Sequence, residues 1–418
     1  MAARNNVDLL VDVEDEEVPA PDSTRLGGRR GLIYVAVCIV LIGLNLRTVF
    51  SSFSAVLTEI RADSGLSPLL VTVLTTVPVT FLGIFAPAAP ALARRFGAER
   101  VILGAMLLLT AGLAVRGIGA VPALLAGTFA SGAAIAVVNV LLPGLVKRDF
   151  HHRLGLMSGL YTMAICAAAA MGAGFTHPLF ELSGSWQFSL LFWAFPAALV
   201  ALLWAPAAVR QQHERRAVAH AGPSVWRSGT AWQVTLFMVF QSMMSFSVFA
   251  WLAPILRERG VDGGTAGVIV AVCIVLQMAG SFVGPALAVR MRRQRFINAF
   301  VALLTGTGFA LSIFGPMSGI WVWTGMLGVG QGALTAVALT MIVLRTRDSH
   351  VAARLSGMMQ GVGYGLGSSG TLLVAQLHSS TGSFTAAGAM FLLVGVLGAV
   401  FGFRAGRDRF VGEERQGR

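Results

Sequence analysis

The chain has 418 residues, of which 56% are hydrophobic and only 12% charged, a balance that excludes a soluble globular protein of this length and points to a polytopic membrane protein. A net charge of +12 would suggest a nucleic-acid partner for a soluble chain, but here the basic residues sit in short loops between apolar runs, where they report topology, and no nucleic-acid partner is expected. The three cysteines, Cys38, Cys166 and Cys273, fall in different apolar runs as small packing residues and imply neither a disulfide nor a metal site.

Residues 1–30 hold Asp8, Asp12, Glu14, Asp15, Glu16, Glu17 and Asp22 and are too polar to bury a core, so a disordered acidic tail is expected there. The apolar run that follows is too long for a signal peptide and lacks a small-residue cleavage site after it, which makes it an uncleaved anchor. Runs long enough to cross a bilayer then recur at 31–57, 68–92, 99–118, 121–146, 154–179 and 187–209. A second set follows at 231–256, 265–289, 296–314, 317–344, 352–377 and 383–404. The expected architecture is an all-α membrane protein of twelve transmembrane helices: a six-helix bundle over 31–209, a linker over 210–230, a second bundle over 231–404 and a tail over 405–418.

Alternate loops are basic, through Arg94, Arg95 and Arg100, then Lys147, Arg148 and Arg153, then Arg210, Arg215, Arg216 and Arg227, then Arg290 to Arg295 and Arg345 to Arg354. The intervening loops carry only Arg61, Arg116, Arg257 and Arg259. This positive-inside bias places both termini and the central linker in the cytoplasm. Lys147 is the single lysine among 31 basic residues, which on the sequence alone reflects composition and carries no mechanism.

The two halves resemble each other. PALARR at 90–95 recurs as PALAVR at 285–290, RLGLMSG at 153–159 as RLSGMMQG at 354–361, and His177 as His378, at nearly constant offset. Six crossings return the chain to its starting side, so the repeat is parallel, with its pseudo-twofold axis along the membrane normal, and a solute site is expected near mid-membrane between the halves.

The residue that most needs an explanation is Arg47, within LIGLNLRTVFSSFS at 41–54. After the apolar run from Gly31 it is expected about 24 Å along a membrane-spanning helix, a little past mid-bilayer. An arginine there costs roughly 2.5–3.5 kcal/mol on insertion scales and persists where it faces a wet cavity or a partner. No Asp or Glu lies near the middle of any span. Arg47 is therefore expected to serve as counter-charge for an anionic or strongly electronegative small solute, the competing role being a structural one against helix-end carbonyls. Asn45, Thr48 and Ser52, beside Ser51, Ser54 and Thr58, give the same helix a wide polar arc that serves equally for interhelical packing.

Several stretches are similar to one branch of the major facilitator superfamily, the cyanate permease and 2-nitroimidazole transporter group. They are NLR at 45–47, NVLLPGLVKRDF at 139–150, SGLYT at 158–162, AWLAPILRERG at 250–260, GVGQGA at 328–333 and RLSGMMQGVGYGLG at 354–367. The superfamily's motif between the second and third spans appears as PALARRFGAER at 90–100, with Pro90 and Arg94 in place of a glycine and an aspartate. Thr48 follows NLR where proline is usual, and Gly370-Thr371 stands where Gly-Pro is common.

The resemblance implies a secondary carrier in the bacterial cytoplasmic membrane, working as a monomer without cofactor. Its solute would be a small anion, weak acid or compact polar heteroaromatic, moved by alternating access. Arg47 and Asn45, with the mid-span amides Gln241, Gln331 and Gln360 and with Tyr364, are the candidate solute contacts; interhelical hydrogen bonding is the other use for each amide. Asn139, Tyr161, Trp251, Arg94 and Arg95 are candidates for gating or structure. Uniport, anion exchange and co-transport in which the solute carries the proton are all open for the coupling, since no intramembrane carboxylate is present to alternate its charge. The rivals are a broad multidrug efflux carrier, a membrane sensor, which lacks an output domain here, and an enzyme, for which no nucleophile, metal-ligand or cofactor motif is found in the cytoplasmic segments.

Overall fold

In a hydrocarbon layer every backbone N–H and C=O has to find its partner within the chain, so long apolar runs become helices. The structure is a computed structural model that describes residues 29–210, 225–291 and 293–412, and among these residues it contains helices and no strand. Most of the acidic tail and of the linker expected over 210–230 lies outside the described residues.

Four spans of the first half are segmented or single helices in simple order: α1 (Arg29–Gly43), α2 (Thr48–Ala55) and α3 (Leu57–Ser64) make the first, α4 (Pro68–Phe85) and α5 (Ala88–Phe96) the second, α6 (Ala98–Arg116) the third and α7 (Val121–Asp149) the fourth. The half is completed by α8 (Leu154–Ser183), then α9 (Trp186–Leu191) with α10 (Ala194–Arg210). The second half runs through α11 (Gly229–Glu258), α12 (Gly263–Arg290), α13 (Arg295–Phe314), α14 (Ile320–Leu344), α15 (Ser349–Gly367) with α16 (Ser369–Thr381), and α17 (Thr385–Ala405). Ten of these crossings are long and apolar enough to span a membrane as they stand, and the α4–α5 and α15–α16 pairs supply the other two of the twelve. Helix starts follow side-chain capping: Ser67, Ser185, Ser228, Asp262 and Asp348 each accept a backbone N–H three residues on, at 2.8–3.4 Å.

The first span is not the continuous helix expected. It opens at Leu44–Arg47, and the cause is local. The Asn45 side-chain amide donates to the Leu41 carbonyl at 2.9 Å, the acceptor that a continuing α-helix would offer to the backbone N–H of the same residue. That N–H turns instead to Ile42, and the N–H of Leu46 to Gly43, which tightens the turn to i→i−3 spacing. Arg47 then leaves helical geometry at φ −121°, ψ −11°, and α2 restarts at Thr48. The second span breaks before Ala88 at Pro87, and span eleven at Ser368, whose hydroxyl bonds back to the Gly365 carbonyl.

Glycines set how closely the halves approach. A Cβ at Gly159 would stand 2.7 Å from the Phe282 carbonyl oxygen, and one at Gly155 3.2 Å from Ala286 Cα, so α8 lies directly on α12. On the other side, Gly357 and Gly361 of α15 meet Pro90 and Pro87 at 3.1 and 3.2 Å, and Gly83 of α4 meets Gly361 and Gly365 at 3.0 Å. All these contacts lie between mid-span and the face that carries the basic loops. One apolar core accordingly runs through both halves, from Ile42, Leu109 and Leu142 to Phe237, Met341 and Met359. Farther toward the opposite face, Gly174 in α8 and Gly267 in α12 have nothing within 4 Å of a Cβ position. The close approaches between the halves therefore fall on the basic side of mid-span.

The repeat also governs polar contacts. His177 stands 3.4 Å from Glu59, and His378, its counterpart, 2.7 Å from Glu258, each pair tying the fifth or eleventh span to the first or seventh. At the basic face Arg148 pairs with Glu99 at 2.6 Å, while Arg345 donates to Gln294 in the equivalent place.

Candidate functional site

The break in the first span sets Arg47 outside helical geometry, between α1 and α2. Its backbone carbonyl accepts the Ser51 hydroxyl at 3.2 Å, its side chain is half-buried, and no acidic side chain among the described residues pairs with it. Its charge is felt at Cys166 of α8 and at Tyr364 of α15, one helix of each half. Gly43, at the end of α1, allows this: a Cβ there would meet the Tyr161 carbonyl oxygen at 3.1 Å and Ala164 Cβ at 3.2 Å. Gly172 does the same for α2, accepting the backbone at Thr48 and Ser52 at 3.1–3.2 Å. Two glycines of opposite spans therefore hold the broken stretch against α8.

Two of the three tyrosines in the chain lie on helices near this stretch, Tyr161 of α8, whose carbonyl stands beside Gly43, and Tyr364 of α15. Tyr161 is 2% exposed with an unpartnered hydroxyl, and Phe246 packs 5.9 Å from the Tyr364 ring. The guanidinium and the two phenols come from three spans, and each is a hydrogen-bond donor. The arrangement has donors for oxygen or nitrogen lone pairs and, among the described residues, no group arranged as nucleophile and base.

The sequence-selected amides divide. Gln241 donates to Thr335 Oγ1 at 2.7 Å and accepts the Ser242 hydroxyl at 3.2 Å, so it is satisfied within its own half. Gln331 shares Thr335 at 3.2 Å, but its Oε1 is fully buried and unpartnered. Gln360 uses both N–H groups, on the Asn139 carbonyl at 3.0 Å and on Ser356 at 2.8 Å, and so bridges the halves. Asn139 is half-buried at that junction, and Asn45 is occupied by the helix break. Trp251 donates to the Thr371 carbonyl at 3.2 Å and packs on Phe384, which ties α11 to α16. Arg94 and Arg95 are exposed at the end of α5, with Arg95 lying 5.1 Å over Phe96. A shallow recess lined by Leu57, Thr58, Arg61 and Leu66 opens beside α3; it is built from one span alone and lacks Arg47.

Two residues have more to do than their sequence context conveyed. Lys147, set aside as compositional, extends from α7 across the junction to the carbonyls of Val343, at 2.7 Å, and Thr346, at the C-terminal end of α14. A compact ammonium fits between two carbonyls where a planar guanidinium is wider, which gives the lone lysine a physical reason. Arg116, expected in a loop, is fully buried in the last turn of α6. The signal for both lay in close approaches that only the packed chain shows.

Two repeat-related six-helix halves that meet through α8 on α12 and through α15 on α4 and α7, with a half-buried cation in the first span that has no acidic partner among the described residues, have the build of a membrane carrier. The sequence profile of the Major Facilitator Superfamily matches residues 35–368, and the chain belongs to that family. It is 36% identical over 389 residues to the 2-nitroimidazole transporter of Escherichia coli (strain K12), covering 93% of this chain and 98% of that protein. It is 26% identical over 347 residues to the cyanate transport protein CynX of the same organism, covering 83% and 90%. Among solved structures, the E. coli fucose:proton symporter FucP superposes with a TM-score of 0.71 at 12% identity, over 90% of this chain and 99% of that one. That last likeness concerns the fold alone.

Proposed function

We propose that this protein is a secondary carrier of the bacterial cytoplasmic membrane that moves a small anion, weak acid or compact polar heteroaromatic, of the cyanate or nitroimidazole type, by alternating access. The observation that carries the reading is Arg47: a permanent cation released from helical geometry within the first span, half-buried, with no acid beside it among the described residues. An uncompensated intramembrane charge is costly, and a solute that supplies the missing negative charge offsets the cost when bound. The names of the two relatives above support small, compact solutes of this kind. Tyr161 and Tyr364 donate to the solute beside Arg47, Gln331 Oε1 provides an acceptor, and Gln360 holds the halves together below them.

On this reading the basic face is cytoplasmic, both termini lie on that side, and the cleft between the halves opens outward. Transport follows when one half rocks against the other and the contacts at the basic face separate. Lys147 latches the closed side, so Lys147→Met is expected to shift the population toward the inward-open form by about three- to tenfold, the worth of one or two charge-assisted hydrogen bonds at a wet interface. The shift reads out as faster labelling of a cysteine placed at Ala353, which faces Gly144 across the junction. Unchanged labelling would remove Lys147 from the gate.

The test of the function itself is uptake by purified protein in liposomes of labelled cyanate, nitrite, benzoate and 2-nitroimidazole, with ethidium as the lipophilic cation favoured by an efflux carrier. Saturable uptake of at least one of the first four, inhibited by the others and not by ethidium, supports the proposal. Transport of ethidium alone overturns it, since Arg47 repels a cation.

A further inference from the structure

Arg116 is a second unpaired cation in the membrane-spanning part of the first half, and it touches the same stretch of chain as Arg47. It is fully buried in the last turn of α6, and no carboxylate among the described residues pairs with it. Its Nη1 donates to the carbonyl oxygen of Val49 at 3.1 Å, and its guanidinium lies 5.5 Å over the ring of Phe53. Both contacts are to α2, the half-helix that restarts after the break. The remaining Nε and Nη2 groups are buried without partners.

The neighbouring helix is shaped for this side chain. A Cβ at Gly127 of α7 would stand 2.7 Å from Arg116 Cγ, so the absence of a side chain there opens the route along which the arginine reaches α2. Buried guanidinium groups with unmet N–H donors destabilise a fold, and a Leu or Met of similar volume would pack the same space without that cost. What an apolar residue cannot do is hold a backbone carbonyl. The break at 44–47 interrupts the helical hydrogen bonding that would fix α2 from upstream, so its orientation on α8 depends on side contacts, and a rotation of α2 would carry Arg47 with it.

We propose that Arg116 is a positioning residue for solute binding: by gripping the Val49 carbonyl and the Phe53 ring it fixes the orientation of α2 and so keeps the Arg47 guanidinium in the cleft. This rests on the carrier reading above as far as transport is concerned, whereas the anchoring of α2 is measurable without it. Bonded to Val49, two residues beyond Arg47 in sequence, the fixed second cation also adds to the positive potential of this part of the half and favours anions over neutral solutes.

The experiment compares the full-length wild type with Arg116→Met, Arg116→Gln and Arg116→Lys by amide hydrogen exchange in detergent and by cyanate uptake in liposomes. In Arg116→Met, exchange over 48–54 is expected to rise about tenfold or more while α6 and α7 keep their protection. The half-saturating cyanate concentration rises about tenfold with the maximal rate within about twofold, the pattern of lost binding rather than lost turnover. Arg116→Gln, which retains a donor for Val49 without the charge, recovers the protection of 48–54 but only part of the affinity. Unchanged exchange over 48–54 in Arg116→Met overturns the proposal, as does an equal loss of protection through α6 and α7, which would mark a packing role. If the methionine variant does not fold, Arg116→Lys decides by the same peptides, because its shorter reach loses the Val49 carbonyl. A wild type that does not take up cyanate bears on the carrier reading, and the exchange data still decide the anchoring.

Discussion

Arg47→Ala is expected to lower kcat/KM for anion uptake by about 100- to 1,000-fold, roughly 3–4 kcal/mol, which is the loss for removing one partner of a desolvated charge pair. Arg47→Lys is expected to restore no more than about a tenth of the activity, since a point charge on a flexible stem cannot present the planar donor fork that a guanidinium offers to an oxyanion or nitro group. The second half of the expectation separates a solute contact from a structural one. Arg47 is half-buried, carries no acidic partner among the described residues, and stands in a break already stabilised by Asn45 on Leu41 and by the Thr48 hydroxyl on the Asn45 carbonyl at 3.1 Å. Removing it therefore relieves a cost instead of breaking a network, and the alanine variant is expected to melt no lower than the wild type in detergent. A carrier that loses both transport and several degrees of thermal stability on this substitution would make Arg47 a structural residue and return the broad efflux reading to first place.

Much of the fold is legible in the sequence because membrane helices are constrained by length and hydropathy alone. The spans begin and end close to where apolar runs and caps such as Asp262 and Asp348 place them, and the repeat is visible in PALARR and PALAVR before any contact is known. The break at 44–47 is not legible in the same way. Leu44, Leu46 and their neighbours form a continuous apolar run, and the signal is a single side chain, Asn45, able to take a carbonyl from its own helix. Arg116 illustrates a second limit. At the end of an apolar run and followed by Gly117 it has the pattern of a loop arginine, and the glycine that admits it to the interior, Gly127, is on another span. Gln360 and Lys147 act across the halves, and no periodicity within one helix reports a partner some two hundred residues away. Composition and spacing identify which polar residues are costly; packing decides what they do.

That distinction carries over to the glycines, where two substitutions of one chemical kind are expected to fail differently. Gly159→Leu places a side chain against the Phe282 carbonyl oxygen, which a Cβ alone would already approach to 2.7 Å, and in the proposed rocking cycle this contact is lost when the halves separate at the basic face. Overpacking typically costs about 1–3 kcal/mol, and because separation of α8 from α12 relieves it, the cost falls on one conformation and not on the fold. At 2 kcal/mol the ratio of the two forms moves about 30-fold toward the one open at the basic face. A cysteine at Ala353, in a background with Cys38, Cys166 and Cys273 replaced by alanine, is then expected to label about as much faster as the population has shifted, with the melting temperature nearly unchanged and uptake strongly reduced. Gly332→Val places its side chain on the Gln277 carbonyl, between α14 and α12 of one half, where rocking the halves separates nothing. Its cost falls on every conformation, so it is expected to lower the melting temperature and the yield of folded protein without faster labelling at position 353. If Gly159→Leu instead behaved like Gly332→Val, the contact between α8 and α12 would belong to the permanent core, and the closed side of the carrier would have to be sought at the opposite face.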